Sequence, residues 1–421
     1  MTQSQPSATE LQSSRRFVGW RIVVLATITA AMTGPGQTIG VSVFVDPIIE
    51  ALDLTRSEVS TAYLIGTLLG ALALPSVGRW VDRIGARRAM TAVGLGFGGG
   101  LVVMSGVEGF ITLAIGFTLI RWLGQGSLSL VSTVAVTHWF ERRRGTVFGV
   151  MMTAVSALMA LTPVLLNLAI EAYTWRTAWL LAAAAVWLIV VPIGWFGIVD
   201  RPADVGQYVD SDPAPAEHAE RTPDNSHSRR EAIGEVRFWL LTATVATTSL
   251  LATALNFHQI SILGEAGLSS TEAATMFLPQ VGGAIVAGLI VGALADRIPV
   301  RFLLTTAMSL LAAALLLISI VEPGWQVVLY AVTLGAAGGA QRPLAATVLP
   351  RWFGLANIGA IQGISTFVGV GASAMGPVAL SVIRNWTGGY TEATMLLAVI
   401  PIVIGVTALA VTEPVRTLSS G

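Results

Sequence analysis

The sequence predicts an all-α membrane protein with twelve transmembrane helices arranged as two pseudo-symmetric six-helix bundles. Three observations predict it. Twelve apolar runs have crossing length, the arginines crowd onto alternate loops, and one acid–arginine–glycine pattern recurs in both halves. Of the 421 residues, 54% are hydrophobic and 11% charged, with a mean hydropathy of +0.73. A soluble domain carries roughly 25% charged residues, so most of this surface must face lipid rather than water.

A helix needs roughly 20 apolar residues to cross the hydrocarbon core. Runs of that kind lie near 18–44, 58–78, 89–107, 110–137, 145–170 and 177–198, then near 237–262, 272–294, 302–320, 325–349, 357–382 and 391–411. The expected organisation is a tail over 1–17, a six-helix bundle over 18–199, a linker over 200–236, a second bundle over 237–412 and a tail over 413–421. The linker is polar and Pro-rich without apolar periodicity, the pattern of a flexible connection, and its His218 and His227 read as solvated. Gly34-Pro35-Gly36 should loosen the first helix, because proline lacks an N–H and glycine lacks a Cβ.

All 24 basic residues are arginine, and they set the orientation. With the N-terminus in the cytoplasm, nineteen lie inside and only Arg56, Arg176 and Arg384 outside; Arg121 and Arg342 remain within the membrane. Both termini are therefore expected in the cytoplasm, with the chain multi-pass in the inner membrane. A formal net charge of zero argues against a nucleic-acid partner, and the absence of cysteine excludes disulfide and thiolate chemistry. No nucleophile–base pair, metal cluster or phosphate-cradling loop stands out, so neither an enzyme, nor a cofactor, nor ATP-driven transport is expected.

Residues 57–88 align with 271–301: Glu58 with Glu272, Gly78 with Gly292, Asp82 with Asp296 and Arg83 with Arg297, each 214 apart. Trp139-Phe140 pairs with Trp352-Phe353 at 213. Parallel repeats are the mark of carriers whose halves rock about a central site. Gly78 and Gly292 are expected at close helix approaches. Asp82, Arg83, Arg87, Arg88, Asp296 and Arg297 are expected to form a cytoplasmic latch that breaks as the halves move.

The run Gly78-Arg79-Trp80-Val81-Asp82-Arg83-Ile84-Gly85-Ala86-Arg87-Arg88 resembles the GxxxDRxGxRR signature of the major facilitator superfamily, and Gly292–Arg301 resembles its weaker second copy. Phe17-Val18-Gly19-Trp20-Arg21, Trp139-Phe140-Glu141-Arg142-Arg143-Arg144-Gly145, Phe257-His258-Gln259 and Trp352-Phe353-Gly354 are similar to stretches of the monocarboxylate and oxalate/formate carriers. The resemblance implies the major facilitator fold and secondary transport. It also implies that Arg121, in Arg121-Trp122-Leu123-Gly124-Gln125-Gly126, serves coupling and packing on the first helix. The arginine usual in the eighth helix of such carriers is not found here, and neither is the Gly-Pro-rich antiporter pattern of proton-driven drug exporters in 153–164.

An ionisable residue at membrane depth costs a few kcal/mol and is a functional candidate by default. Arg342 lies nine residues before Arg351, roughly 13 Å into the tenth helix, among Gly338, Gly339 and Ala340. Its planar fork suits a carboxylate. His258, with an ordinary pKa near 6.5, is a candidate for both substrate contact and proton coupling. Gln37, Thr38, Tyr63, Gln259, Gln280 and Gln341 are the polar candidates for a substrate pocket, and Phe44, Phe257 and Phe367 the aromatic ones. No Asp or Glu lies at mid-depth, so the arginines should favour an anion. The expected function is proton-coupled transport of a small organic anion, a monocarboxylate, by a monomer. The alternative is a proton-coupled exporter of hydrophobic or drug-like compounds on the same fold.

Overall fold

The computed structural model describes residues 17–141, 143–211, 228–294, 297–354 and 358–410. These residues form helices and connecting turns, with no strand among them. Ten segments are long and apolar enough to cross a membrane. The fourth and tenth expected crossings, Phe110–Thr137 and Trp325–Phe353, are helical as well. The outcome is the expected all-α membrane architecture.

By their contacts the residues fall into two compact units. The first draws on the described residues of Met1–Gly40, Ile65–Thr162 and Ala169–Ala219. The second draws on Val41–Leu64, Pro163–Leu168 and the described residues of Glu220–Gly421. Residues 41–64, the end of the first crossing and the start of the second, thus cluster with the second half of the chain.

The leading crossing is broken. Helix α1 (Gly19–Ala31) stops, Gly34–Gly36 makes a 3-10 turn, and α2 (Thr38–Ser42) and α3 (Val45–Leu52) follow. Pro35 supplies no N–H at the break. A Cβ on Gly36 would sit 2.7 Å from the Ile120 carbonyl, so only glycine permits this approach. The second crossing is α4 (Arg56–Ile84) and the third α5 (Ala86–Ser105). The fourth runs through α6 (Phe110–Leu119), a π-helical stretch over Ile120–Leu128, and α7 (Ser129–Thr137). Two helices, α8 (Arg144–Met159) and α9 (Leu161–Ala172), make the fifth crossing, and α10 (Trp175–Pro192) the sixth.

Residues 200–211, expected to be flexible, fold back onto the first unit. The Asp210 N–H donates to the Trp139 carbonyl at 3.0 Å, and Asp210 Oδ2 accepts from the Glu141 N–H at 2.9 Å. Gln207 Oε1 accepts from the Val18 N–H at 2.9 Å. The polar composition serves these backbone contacts as well as solvent. Residues 212–227 lie outside the described residues.

The second unit continues with α11 (Arg229–Gly234), α12 (Val236–Glu265), α13 (Ser270–Thr275) and α14 (Phe277–Leu294). Then come α15 (Val300–Ser319), α16 (Trp325–Phe353), α17 (Ile358–Thr387) and α18 (Tyr390–Leu409). One apolar core gathers Leu255, Met308, Leu311, Tyr330 and Leu397; another gathers Phe238, Leu304, Leu349 and Phe353. Helices α14 and α16 meet backbone to backbone. A Cβ on Gly339 would fall against the Ala284 carbonyl, which is why small residues occupy this seam.

The repeat is visible in the local chemistry. Glu58 accepts from the Thr55 N–H at 2.7 Å while Thr55 Oγ1 accepts from the Glu58 N–H at 3.2 Å. Ser269 and Glu272 repeat this reciprocal cap at 2.8 and 3.2 Å. The aligned acids therefore start the second and eighth crossings by satisfying free N–H groups at the helix end. Gly78 and Gly292 have open surroundings. Among the described residues a Cβ at either would meet no atom within 4 Å.

Candidate functional site

Arg121 lies in the first turn of the π-helical stretch of the fourth crossing, where the widened turn carries Ser127 Oγ to the Trp122 carbonyl at 2.8 Å. Such stretches often mark functional positions. Its side chain is 4% exposed. Nε donates to Thr67 Oγ1 at 3.0 Å, and Nη1 donates to the Gly36 carbonyl at 3.2 Å. The guanidinium thus ties the broken first crossing to the second and fourth, satisfying a carbonyl that the break at Gly34–Gly36 leaves outside a regular helix. Gln37 is half-buried at the same break and donates to Thr33 Oγ1 at 3.1 Å; Thr38, also half-buried, begins α2.

The other polar candidates belong to the second unit. His258 is fully buried on α12. Its Nε2 lies 3.0 Å from the Pro377 carbonyl and its Nδ1 lies 3.3 Å from the Tyr390 hydroxyl. A carbonyl only accepts, so Nε2 carries the hydrogen, and Nδ1 is left to pair with the Tyr390 hydroxyl. Phe257 packs edge-on to the histidine ring at 5.0 Å and tilts against Tyr63 at 4.7 Å. Tyr63 and Phe44 are buried, whereas Phe367 is exposed.

Gln259 and Gln280 are both buried, and the Oε1 of each has no hydrogen-bond partner among the described atoms. Gln280 Nε2 donates to Asn256 Oδ1 at 2.7 Å, and Gln259 Nε2 makes a long contact of 3.4 Å to the Ala273 carbonyl. Gln341 Nε2 donates to the Val245 carbonyl at 2.9 Å and to Ser249 Oγ at 3.1 Å, pinning α16 to α12. Arg342 follows it within α16; its side chain lies outside the described residues. The second unit therefore gathers His258, Gln259, Gln280 and Asn256 on α12 and α14, while Arg121, Gln37 and Thr38 belong to the first.

Sequence reasoning missed a charged cluster. Arg56 Nη2 and Asp46 Oδ1 pair at 2.7 Å, Arg56 Nη1 donates to Ser261 Oγ at 2.6 Å, and the Ser261 hydroxyl lies 2.8 Å from both Asp46 oxygens. This closed triangle joins α3, α4 and α12. Arg384 pairs with Glu265 at 2.7 Å and lies over the Tyr390 ring at 4.7 Å. Asn167 donates to Thr271 Oγ1 at 2.8 Å, a further tie between the fifth crossing and α13. The signal available in sequence was only that Asp46 and Arg56 are opposite charges ten residues apart.

At the signature motif, Gly85 takes φ +84°, a left-handed conformation that favours glycine, and turns α4 into α5. The Asp200 carboxylate accepts from the Arg87 N–H at 2.8 Å and so caps α5, while Arg87 Nε donates to the Trp195 carbonyl at 2.8 Å. A polar cavity of about 580 Å³ lies here, lined by Arg83, Arg87, Arg88, Asp200, Arg201 and Asp204 among others. Arg297 is exposed; the Asp82 side chain and all of Asp296 lie outside the described residues. Among the described residues no cluster of His, Cys, Asp or Glu has the arrangement of a metal site.

Residues 22–278, more than half of the chain, match the family model of the Major Facilitator Superfamily; the chain belongs to that superfamily, whose members are membrane transporters. Over 155 residues it is 25% identical to monocarboxylate transporter 9 of Mus musculus and of Rattus norvegicus. That alignment covers 37% of this chain and 30% of each relative. Among solved structures it is similar to a bacterial homologue of the human lysosomal transporter Spinster, in inward-facing unoccupied and occupied conformations. The TM-score is 0.71 at 17% identity, over 94% of this chain and 96% of the other, a likeness of fold.

Proposed function

We propose that this transporter moves a small organic anion, a monocarboxylate, together with a proton across the cytoplasmic membrane by alternating access. In this reading it works as a monomer with both termini on the cytoplasmic side. The observation that carries the proposal is the distribution of charge along the spans. Arg342 stands mid-way along α16 beside small residues, and no acid shares that depth. A guanidinium in low dielectric favours a carboxylate, which can meet it through two parallel hydrogen bonds. The stretch of similarity to monocarboxylate transporter 9 points the same way.

Gln341 anchors α16 on α12 and so fixes the position of Arg342 along its helix. The free Oε1 atoms of Gln259 and Gln280 are acceptors available to a substrate hydroxyl or to a protonated carboxyl. Both ring nitrogens of His258 are engaged, so the proton is proposed to travel on the substrate's own carboxyl rather than on this histidine. Arg121 holds the first crossing to the second and fourth, the packing on which a rocking motion depends. The Asp46–Arg56–Ser261 triangle is the proposed outer fastening, and the arginine-rich turn around Arg83, Arg87, Arg88 and Arg297, with Asp82 and Asp296, the inner one.

The test is uptake by reconstituted proteoliposomes carrying an imposed inward proton gradient. Radiolabelled lactate or pyruvate should accumulate above its equilibrium level and fall back when a protonophore is added. No accumulation across a panel of carboxylates, with extrusion of an apolar dye instead, would replace this reading by the drug-exporter one.

A further inference from the structure

A groove of about 650 Å³ runs between α14, α15 and α16. Thr306 is the only polar side chain among its lining residues, which include Gly282, Val286, Ile290, Phe302 and Val332. It exists because glycine and alanine on α14 and α16 face larger side chains on α15. The lining extends along α14 from Pro279 to Leu294, about 22 Å at 1.5 Å per residue. One leaflet of the hydrocarbon core is only about 15 Å deep, so the groove can take a whole acyl chain. Val286 and Ile290 are 57% and 52% exposed.

Chemistry at one end of the groove narrows the occupant. Leu294, Ile298 and Phe302 close it at the turn between α14 and α15, and Arg297 and Arg301 flank these residues in the chain. The Arg301 guanidinium lies 5.0 Å from the Phe302 ring centre. Its Nε is buried and has no hydrogen-bond partner among the described atoms. A buried charged N–H without an acceptor is costly, and a phosphate oxygen would satisfy it. The turn holds two guanidinium groups against one carboxylate, Asp296, whose placement lies outside the described residues.

We propose that this groove is a binding site for an anionic phospholipid, with one acyl chain laid along α14 and the phosphate held by Arg301 and Arg297. The proposal does not depend on the proposed substrate. Basic residues at the end of an apolar slot between spans are the arrangement that selects acidic headgroups.

The purified full-length protein would be mixed with equimolar phosphatidylglycerol and phosphatidylcholine of identical chains and weighed intact by native mass spectrometry. Bound phosphatidylglycerol should exceed phosphatidylcholine by roughly tenfold or more. The double variant Arg297→Gln/Arg301→Gln should bring the two to parity while still retaining lipid. Ala287→Phe, which fills the slot, should deplete both lipids; Gly282→Leu is the alternative if that variant does not purify as a folded monomer. Parity in the unaltered protein, an undiminished preference in the double variant, or a lipid-free dimer in place of lipid adducts would overturn the proposal.

Discussion

Arg121 is a buried cation whose hydrogen bonds run to a backbone carbonyl and a hydroxyl. Hydrogen bonds to a charged group contribute about 1.5–3 kcal/mol each. Arg121→Lys keeps the charge but loses the fork, so thermal unfolding in detergent should move to lower temperature and transport should slow while substrate affinity stays. An unchanged unfolding temperature with lost binding would place the guanidinium at the substrate instead. His258 makes a similar case. Replacing it with Phe takes the acceptor from the Tyr390 hydroxyl and the second partner from the Pro377 carbonyl, at a cost of about 1–3 kcal/mol. The pH dependence of uptake should survive; its loss at unchanged stability would return the histidine to the proton path. Both residues stood out in the sequence as ionisable groups within apolar runs. Their partners did not, because Gly36, Thr67, Pro377 and Tyr390 lie far away in the chain and nothing local links them to Arg121 or His258.

At the level of elements, the Asp46–Arg56–Ser261 triangle spans 215 residues and joins α3, α4 and α12. Each member alone reads as a rim group, so nothing local announced the cluster. Arg56 and Asp46 are only partly buried, 18% and 33% exposed in their side chains, which keeps the pair worth about 1 kcal/mol or less. A double-mutant cycle of Asp46→Asn and Arg56→Gln on thermal stability should therefore show a coupling of that size; strict additivity would mean that the triangle fastens nothing. Asp200 is the second hidden element. It follows the sixth crossing, where the composition turns polar, yet it caps α5 at the signature motif. Asp200→Ala should lower stability by about 1 kcal/mol, read by the same unfolding assay, while leaving the remaining linker free to vary. The π-helical stretch was equally hidden, since Arg121-Trp122-Leu123-Gly124-Gln125-Gly126 states no preference between hydrogen-bond periods.

Across the whole molecule, the architecture was legible because lipid leaves few choices: each span must be long, apolar and internally hydrogen-bonded. The repeat at an offset of 214 was legible too, and its acids proved to be reciprocal helix caps. The substrate was less legible, because selectivity depends on which side chains share a water-filled path, and hydropathy does not encode that. What the chain does state is a mid-span arginine on α16 with no acid at its depth. The most direct measurement is equilibrium binding of radiolabelled lactate to the purified protein and to its Arg342→Gln variant. Loss of two charge-assisted hydrogen bonds, about 3 kcal/mol, should weaken binding about a hundredfold at an unchanged unfolding temperature. Equal affinity in the two proteins would contradict an anion site at Arg342.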